Sequence, residues 1–232
     1  MSQIAFDSPP RATVHSPTLW RVAGGLAIAH VVLLFAGFSQ ERSTGLGDSI
    51  ADARHALVEG SLTRSLVGGY IESLSFVVLV PALVFAARAV GARTPLARWA
   101  GTTSLAGGLG YVVVTLATGM PPGAAALYDG HHGGDLATAV ALMDVRNFAY
   151  YLSLLLLALQ AVALGIAAVA DRFSPRWTGA AGVVVGVLLL VGVAGAGIGL
   201  HDIATLIWMV WWVGVGIVLI RNAPMGRTDA QS

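Results

Sequence analysis

A stretch of about 17 or more predominantly apolar residues recurs six times along this chain, and that repetition limits what it can fold into more than any motif does. Each stretch can cross ~30 Å of hydrocarbon at ~1.5 Å rise per residue. In lipid such a segment must satisfy its own backbone polar groups, which a helix does. Composition agrees: of 232 residues, 56% are hydrophobic and 11% charged, against roughly a quarter charged in a soluble domain. The expected fold class is all-α: a polytopic membrane protein, a bundle of six transmembrane helices.

Charge and turn residues set the expected spans at about 19–38, 65–90, 99–120, 146–170, 177–200 and 203–221. Residues 1–18, with Pro9, Pro10 and Pro17, read as a disordered tail, and 222–232 as a second tail. The first apolar run is long and is followed by Ser39, Gln40, Glu41 and Arg42, with no small-residue cleavage site, so it reads as a retained helix and not a signal peptide. Arg11, Arg21, Arg88, Arg93, Arg98, Arg172, Arg176, Arg221 and Arg227 all fall on one side of the expected topology. The connections 121–136 and 201–202 contain no arginine, and the three in 39–64 are offset by Glu41, Asp48, Asp52 and Glu59. Under the positive-inside rule both tails are cytoplasmic, in a multi-pass protein of the cell membrane.

Several chemistries are excluded by residue type. With no cysteine there is no disulfide, thiolate nucleophile or iron–sulfur cluster, and with arginine as the only strong base there is no lysine Schiff base. A net charge of +1 without a basic cluster argues against nucleic acid. In the first outer loop Ile50, Ala53, Leu57 and Val58 recur at helical spacing, with Asp52 placed for a cap and Gly60 as a stop, so a short amphipathic helix is expected there. It either covers the outer end of the bundle or rests on headgroups. Gly182 with Gly186, Gly195 with Gly199, and Gly107, Gly108 and Gly110 form small-residue faces suited to tight helix contact or to a homodimer.

Ionisable groups inside a membrane cost at least ~2.5–3.5 kcal/mol on insertion scales, so each is a functional candidate. Glu72 lies in the second span, roughly 6 Å below the outer surface when counted back from Arg88. His30 is near the middle of the first span, while Asp144, Arg146 and Asn147 head the fourth and His201 and Asp202 sit between the fifth and sixth. Tyr111, Tyr150, Trp208, Trp211 and Trp212 fall in the same outer and middle depth. An apolar pocket with a few convergent polar groups is the usual form of a small-molecule site. The candidate catalytic residues are therefore Glu72, Asp144 and His30. The candidate substrate-binding residues are Arg146, Asn147, Tyr111, Tyr150, Trp208, Trp211, Trp212, His201 and Asp202.

Each has a structural alternative. Glu72 and Arg146 can neutralise one another as a clamp, His30 can bond a neighbouring helix, and the tryptophans can form an interfacial belt. His131 and His132 with Asp129 and Asp135 have metal-ligand chemistry, but in a Gly-rich loop they read as solvated, so neither a metal nor a cofactor is expected.

The segments LWRVAGGLAIAHVVLLFAGF, GDSIADARHALVEGSLTRSLVGGYIESLSFVVLVPALVF, with its acid early in the second span, and DRFSPRWTGAAGVVVGV resemble an uncharacterised bacterial multi-pass membrane family known only as a domain of unknown function. The resemblance covers most of the chain and implies a six-helix membrane fold without an established activity. Absence of lysine beside abundant Ala, Gly, Val and Arg suggests a GC-rich, actinobacterial genome. By analogy, a bundle with carboxylates, a histidine and tryptophans is similar to membrane-embedded terpene cyclases and sterol isomerases, where carboxylic acids protonate an alkene or epoxide and aromatic faces stabilise the cation. That analogy matches no motif position by position.

Three classes remain open. The first is an enzyme or binding protein for a lipophilic, isoprenoid-like molecule, with membrane lipid as its surroundings. The second is a small transporter or proton-coupled permease, though the first and second halves show no convincing repeat. The third is a structural accessory subunit. A bis-histidine haem would need His30 and His201 as axial ligands.

Overall fold

The apolar runs form helices because nothing else pairs their backbone, and the places where they start and stop are set by side-chain caps. The structure, a computed structural model, describes residues 16–41, 45, 49–173 and 175–223. Most of the two expected tails lies outside the described residues, although Pro17 and Thr18 open the first helix. The α-helices are α1 (Pro17–Phe38), α2 (Ile50–Leu57), α3 (Leu62–Val90), α4 (Pro95–Val114), α5 (Met120–His131), α6 (Leu136–Ala170), α7 (Trp177–Ala194) and α8 (Leu200–Arg221), with no strand among the described residues. Ser16, Ser49, Ser61, Thr94 and Asp135 each cap a helix by accepting a backbone N–H, as short polar side chains do.

Six of these rods are long and apolar enough to cross a membrane. Their outward faces carry apolar side chains such as Val77 at 58%, Val113 at 61% and Val210 at 74% exposure, which is the surface of a multi-pass membrane bundle. The helices form a closed ring in which α1 packs on α3, α3 on α4, α4 on α6, α6 on α7, α7 on α8 and α8 back on α1. Its centre is filled by Phe76, Leu79, Leu154, Leu157, Trp208, Trp212 and Leu219, all 2% exposed or less.

Three expected boundaries are corrected. Pro121–Pro122 does not end the third span. Thr115–Gly119 forms a π turn in which the Met120 N–H reaches the Thr115 carbonyl, and α4 and α5 join into one rod, Pro95–His131. The prolines stand directly after this π turn, where the wider backbone spacing accommodates them, and the Thr115 and Thr118 hydroxyls donate to the carbonyls of Tyr111 and Val114. The fourth span starts not at 146 but at Leu136, because Asp135 accepts from the N–H groups of Ala137 and Thr138. Asp144, Arg146 and Asn147 are therefore well inside a 35-residue helix and not at its head. The fifth span stops at Ala194: Gly195 caps it, a 3-10 turn follows, and Gly199 adopts φ 76°, a left-handed conformation suited to glycine. His201 and Asp202 belong to the first turn of α8 and do not form a turn of their own.

The short helix α2 rests on protein. Ala53 and Leu57 are buried with Ala126 and Leu127 of α5 and Ala139 and Met143 of α6, so α2 covers the α5–α6 end. His131 is not in a solvated loop either: it closes α5, its Nδ1 facing the Leu127 carbonyl at 2.9 Å and its Nε2 the Gly60 carbonyl at 2.7 Å. The glycine faces serve contacts within the chain. A Cβ at Gly107 would lie 2.8 Å from the Leu156 oxygen, and one at Gly186 2.8 Å from the Ala158 oxygen, so at these positions α4 and α7 both press on α6, the tight helix contact these faces suit.

Candidate functional site

Two glycines assemble the polar end of the bundle. A Cβ at Gly37 would come 2.9 Å from the Gly68 oxygen, and one at Gly68 2.8 Å from Glu41 Cγ, so α1 and α3 meet backbone to backbone. That contact carries Glu41, just beyond the end of α1, over Gly68 towards α6. There Arg146 donates to Glu41 Oε2 at 2.6 Å and to Glu72 Oε2 at 3.4 Å. Gly123 of α5 leaves room for the arginine, since a Cβ there would stand 2.6 Å from Arg146 Cδ. The side chains of Arg146, Glu41 and Glu72 are 17%, 9% and 7% exposed. Two carboxyl groups thus share one guanidinium, and a proton or an outside cation is needed for neutrality.

Beside this triad is a cavity of about 460 Å³. Glu41, Glu72, Arg146 and Asn147 form one wall, and Tyr150, Tyr151, His201, Asp202 and Thr205 face them from α6 and α8. Leu34, Phe76, Tyr111 and Met209 line its apolar part, with Thr115 and Gly119 of the π turn at one side. Distortions of this kind recur at functional sites because they re-aim side chains. The Thr205 hydroxyl donates to the His201 carbonyl at 2.8 Å and so accepts from the Tyr150 hydroxyl at 2.9 Å, which holds the phenol in place. His201 lies against both tyrosine rings, edge-on to Tyr151 at 5.0 Å, with Nε2 3.3 Å from Asp202 Oδ1 and Nδ1 buried without a partner among the described residues.

Beneath the cavity the aromatic residues form successive tiers. Phe76 and Tyr111 meet edge to face at 5.4 Å, and His30 and Trp208 lie next to them. Trp208 then stacks on Trp212 at 5.7 Å. His30 Nδ1 donates to the Ser75 carbonyl at 2.9 Å, and the Ser75 hydroxyl donates to the Glu72 carbonyl, so the histidine ties α1 to α3 one turn from Glu72. Trp208 donates to Gln160 and Trp211 to the Thr178 carbonyl.

Of the residues expected at a site, Glu72, Arg146, Asn147, Tyr111, Tyr150, His201 and Asp202 come together around the cavity. His30, Trp208, Trp211 and Trp212 do not line it and belong to the core below. Asp144 is also absent from the lining: it shares the azimuth of Tyr151, seven residues on, but stands about two turns nearer the start of α6. The tryptophans are no interfacial belt, being 0% to 4% exposed. Glu41, Thr115 and Thr205 are wall residues that sequence reasoning missed. For Glu41 the signal lay in Gly37 and Gly68, small residues at matching depth that let the carboxyl group cross between helices. Among the described residues no three His, Asp or Glu side chains are grouped to hold a metal ion. Comparison of the chain with family models, with curated proteins and with solved structures finds no match.

Proposed function

We propose that the chain is a membrane-embedded enzyme or binding protein for a lipophilic, isoprenoid-like small molecule held in this chamber, with Glu72 as its acid–base group and both termini cytoplasmic. The observation that carries the reading is the division of labour between two carboxyl groups. Glu41 holds Arg146 at 2.6 Å, so the clamp expected of Glu72 has another occupant, and Glu72, at 3.4 Å, lines an aromatic-walled chamber. A carboxyl group in such a wall can protonate an alkene carbon or an epoxide oxygen, and the π-faces of Phe76, Tyr111 and Tyr150 stabilise the positive charge that then develops on carbon. Arg146 and Asn147 supply donors to a substrate oxygen. The arginines gathered at the opposite end of the bundle support the orientation.

The test is mass spectrometry of small molecules that copurify in mild detergent, wild type beside Glu72→Gln. A discrete apolar metabolite, retained by one form and altered or absent in the other, is expected. Bulk phospholipid alone, identical in both folded proteins, would overturn the reading and leave an accessory subunit.

A further inference from the structure

A second cavity, of about 180 Å³, lies on the far side of the Glu41–Arg146 pair. Its walls come from α3 and α5, and Glu41, Met120 and Arg146 line both cavities. The ion pair is therefore a partition, with the polar chamber behind it and a cleft in front. The cleft is mostly apolar, and its outer rim is exposed to the lipid side: Tyr70 is 70% and Leu66 39% exposed, and Ala124 is exposed beside them. The chamber, among its described residues, carries three carboxyl groups, Glu41, Glu72 and Asp202, against one guanidinium and one imidazole.

We infer that the two cavities form one site for a single-chain amphiphile with an amine head, the ammonium seated among the carboxyl groups and the hydrocarbon chain running out through the α3–α5 cleft into lipid. This inference rests on the proposed chamber in its binding-protein form, with Glu72 as an anionic partner of the head rather than a proton donor, and names the class of molecule and its path. An ammonium supplies the missing positive charge and meets the aromatic walls by cation–π attraction. An anionic head would oppose Glu41 and Glu72, two buried carboxyl groups that already share one arginine, with the 68% exposed Asp202 adding to the same sign. The chain needs no watertight tunnel, because the cleft opens where lipid already surrounds the bundle. Arg146, on a long flexible stem, swings from Glu41 to let the head pass, and Gly123 gives it the space beside α5.

The experiment is photo-crosslinking in phosphatidylcholine nanodiscs with dodecylamine bearing a diazirine halfway along the chain, adducts being mapped by peptide mass spectrometry. Adducts are expected on segments 65–73 and 120–127. Their yield should fall several-fold with unlabelled dodecylamine, little with butylamine or dodecyl phosphate, and several-fold in Ala124→Phe, which fills the cleft from an exposed position and leaves the fold intact. Adducts only on chamber residues such as Phe38 and Tyr150, competed equally by butylamine, would overturn the cleft while the chamber reading stands. Equal competition by dodecyl phosphate would overturn the amine head. Adducts spread evenly over the lipid-facing helices, which no amine reduces, would overturn the inference, while the chamber reading stands or falls on the copurification experiment.

Discussion

Arg146 stands between two carboxyl groups, so removing the cation and removing one anion are unequal perturbations. In Arg146→Leu, Glu41 and Glu72, whose side chains are 9% and 7% exposed, stay side by side without a counter-charge. Deleting one partner of a buried pair costs ~3–5 kcal/mol, and Arg146→Leu is expected to reach that range. Glu41→Gln loses one charge-assisted hydrogen bond but keeps a 1:1 pair, with Glu72 Oε2 already 3.4 Å from the guanidinium and able to close. Its expected cost is about 1.5–2 kcal/mol, the lower part of the span for a hydrogen bond to a charged group. The triple variant Glu41→Gln/Glu72→Gln/Arg146→Leu carries no unpaired charge and should be more stable than Arg146→Leu alone. Equilibrium unfolding in mixed micelles of mild and denaturing detergent, followed by tryptophan fluorescence, measures all three. Equal costs for Glu41→Gln and Arg146→Leu, or a triple variant no better than Arg146→Leu, would refute the shared-cation account.

Gly107→Leu would place side-chain atoms against backbone at 2.8 Å and 2.9 Å on α6, and should destabilise by at least ~1–3 kcal/mol in the same unfolding assay. Gly25→Ala, with nothing within 4 Å, should stay within about 0.5 kcal/mol of wild type. Asp171, 6% exposed, accepts from the N–H groups of Arg93 and Thr94 at 2.8 Å and 2.9 Å; Asp171→Ala should cost roughly 3 kcal/mol and loosen the α3–α4 turn, read as faster amide exchange at those two residues. The Thr138 hydroxyl, with the amides of Ala137 and Thr138, holds the Asp135 carboxyl below its ordinary range. Its capping is thus fully present above the pKa of the unfolded chain and is lost as pH falls through the lowered folded value, so protection factors at Ala137 and Thr138 should drop only in acid and be pH-independent in Asp135→Ala.

How much of this could be read from sequence depended on the range of the interaction. Six spans follow from segment length against bilayer thickness, a local property, and all six helices are present. The boundaries at Pro121, Leu136 and Gly195 were displaced because each is decided by a few hydrogen bonds: a π turn that absorbs two prolines, an aspartate cap, a left-handed glycine. Seven wall residues were identifiable as polar or aromatic groups at one depth, since cost in lipid marks them individually. Depth does not specify azimuth, and so His30 and the tryptophans were assigned to a wall they do not form, while Asp144 stands about two turns along α6 from the wall residue Tyr151 that shares its azimuth. Glu41 was missed for the converse reason: it lies past the end of its helix, and only the Gly37–Gly68 contact brings it to Arg146.

The same contacts bear on passage against chemistry. A transporter must open the chamber to the opposite face, which means parting what lies below it. Trp208 and Trp212 stack there at 0% exposure, and beyond them Leu79, Leu83, Leu157, Leu164, Val215 and Leu219 fill the ring. The helices around this plug touch backbone to backbone at Gly107–Leu156, Gly186–Ala158 and Gly165–Gly179, where rocking one helix against another has no flexible side chain to absorb the motion. The polar end has the opposite construction. There the divider between chamber and lipid is one arginine on a flexible stem, held at a corner where α5 begins after a π turn. Movement is cheap sideways and expensive along the axis, which suits a molecule that enters from the membrane, meets Glu72, and leaves by the way it came.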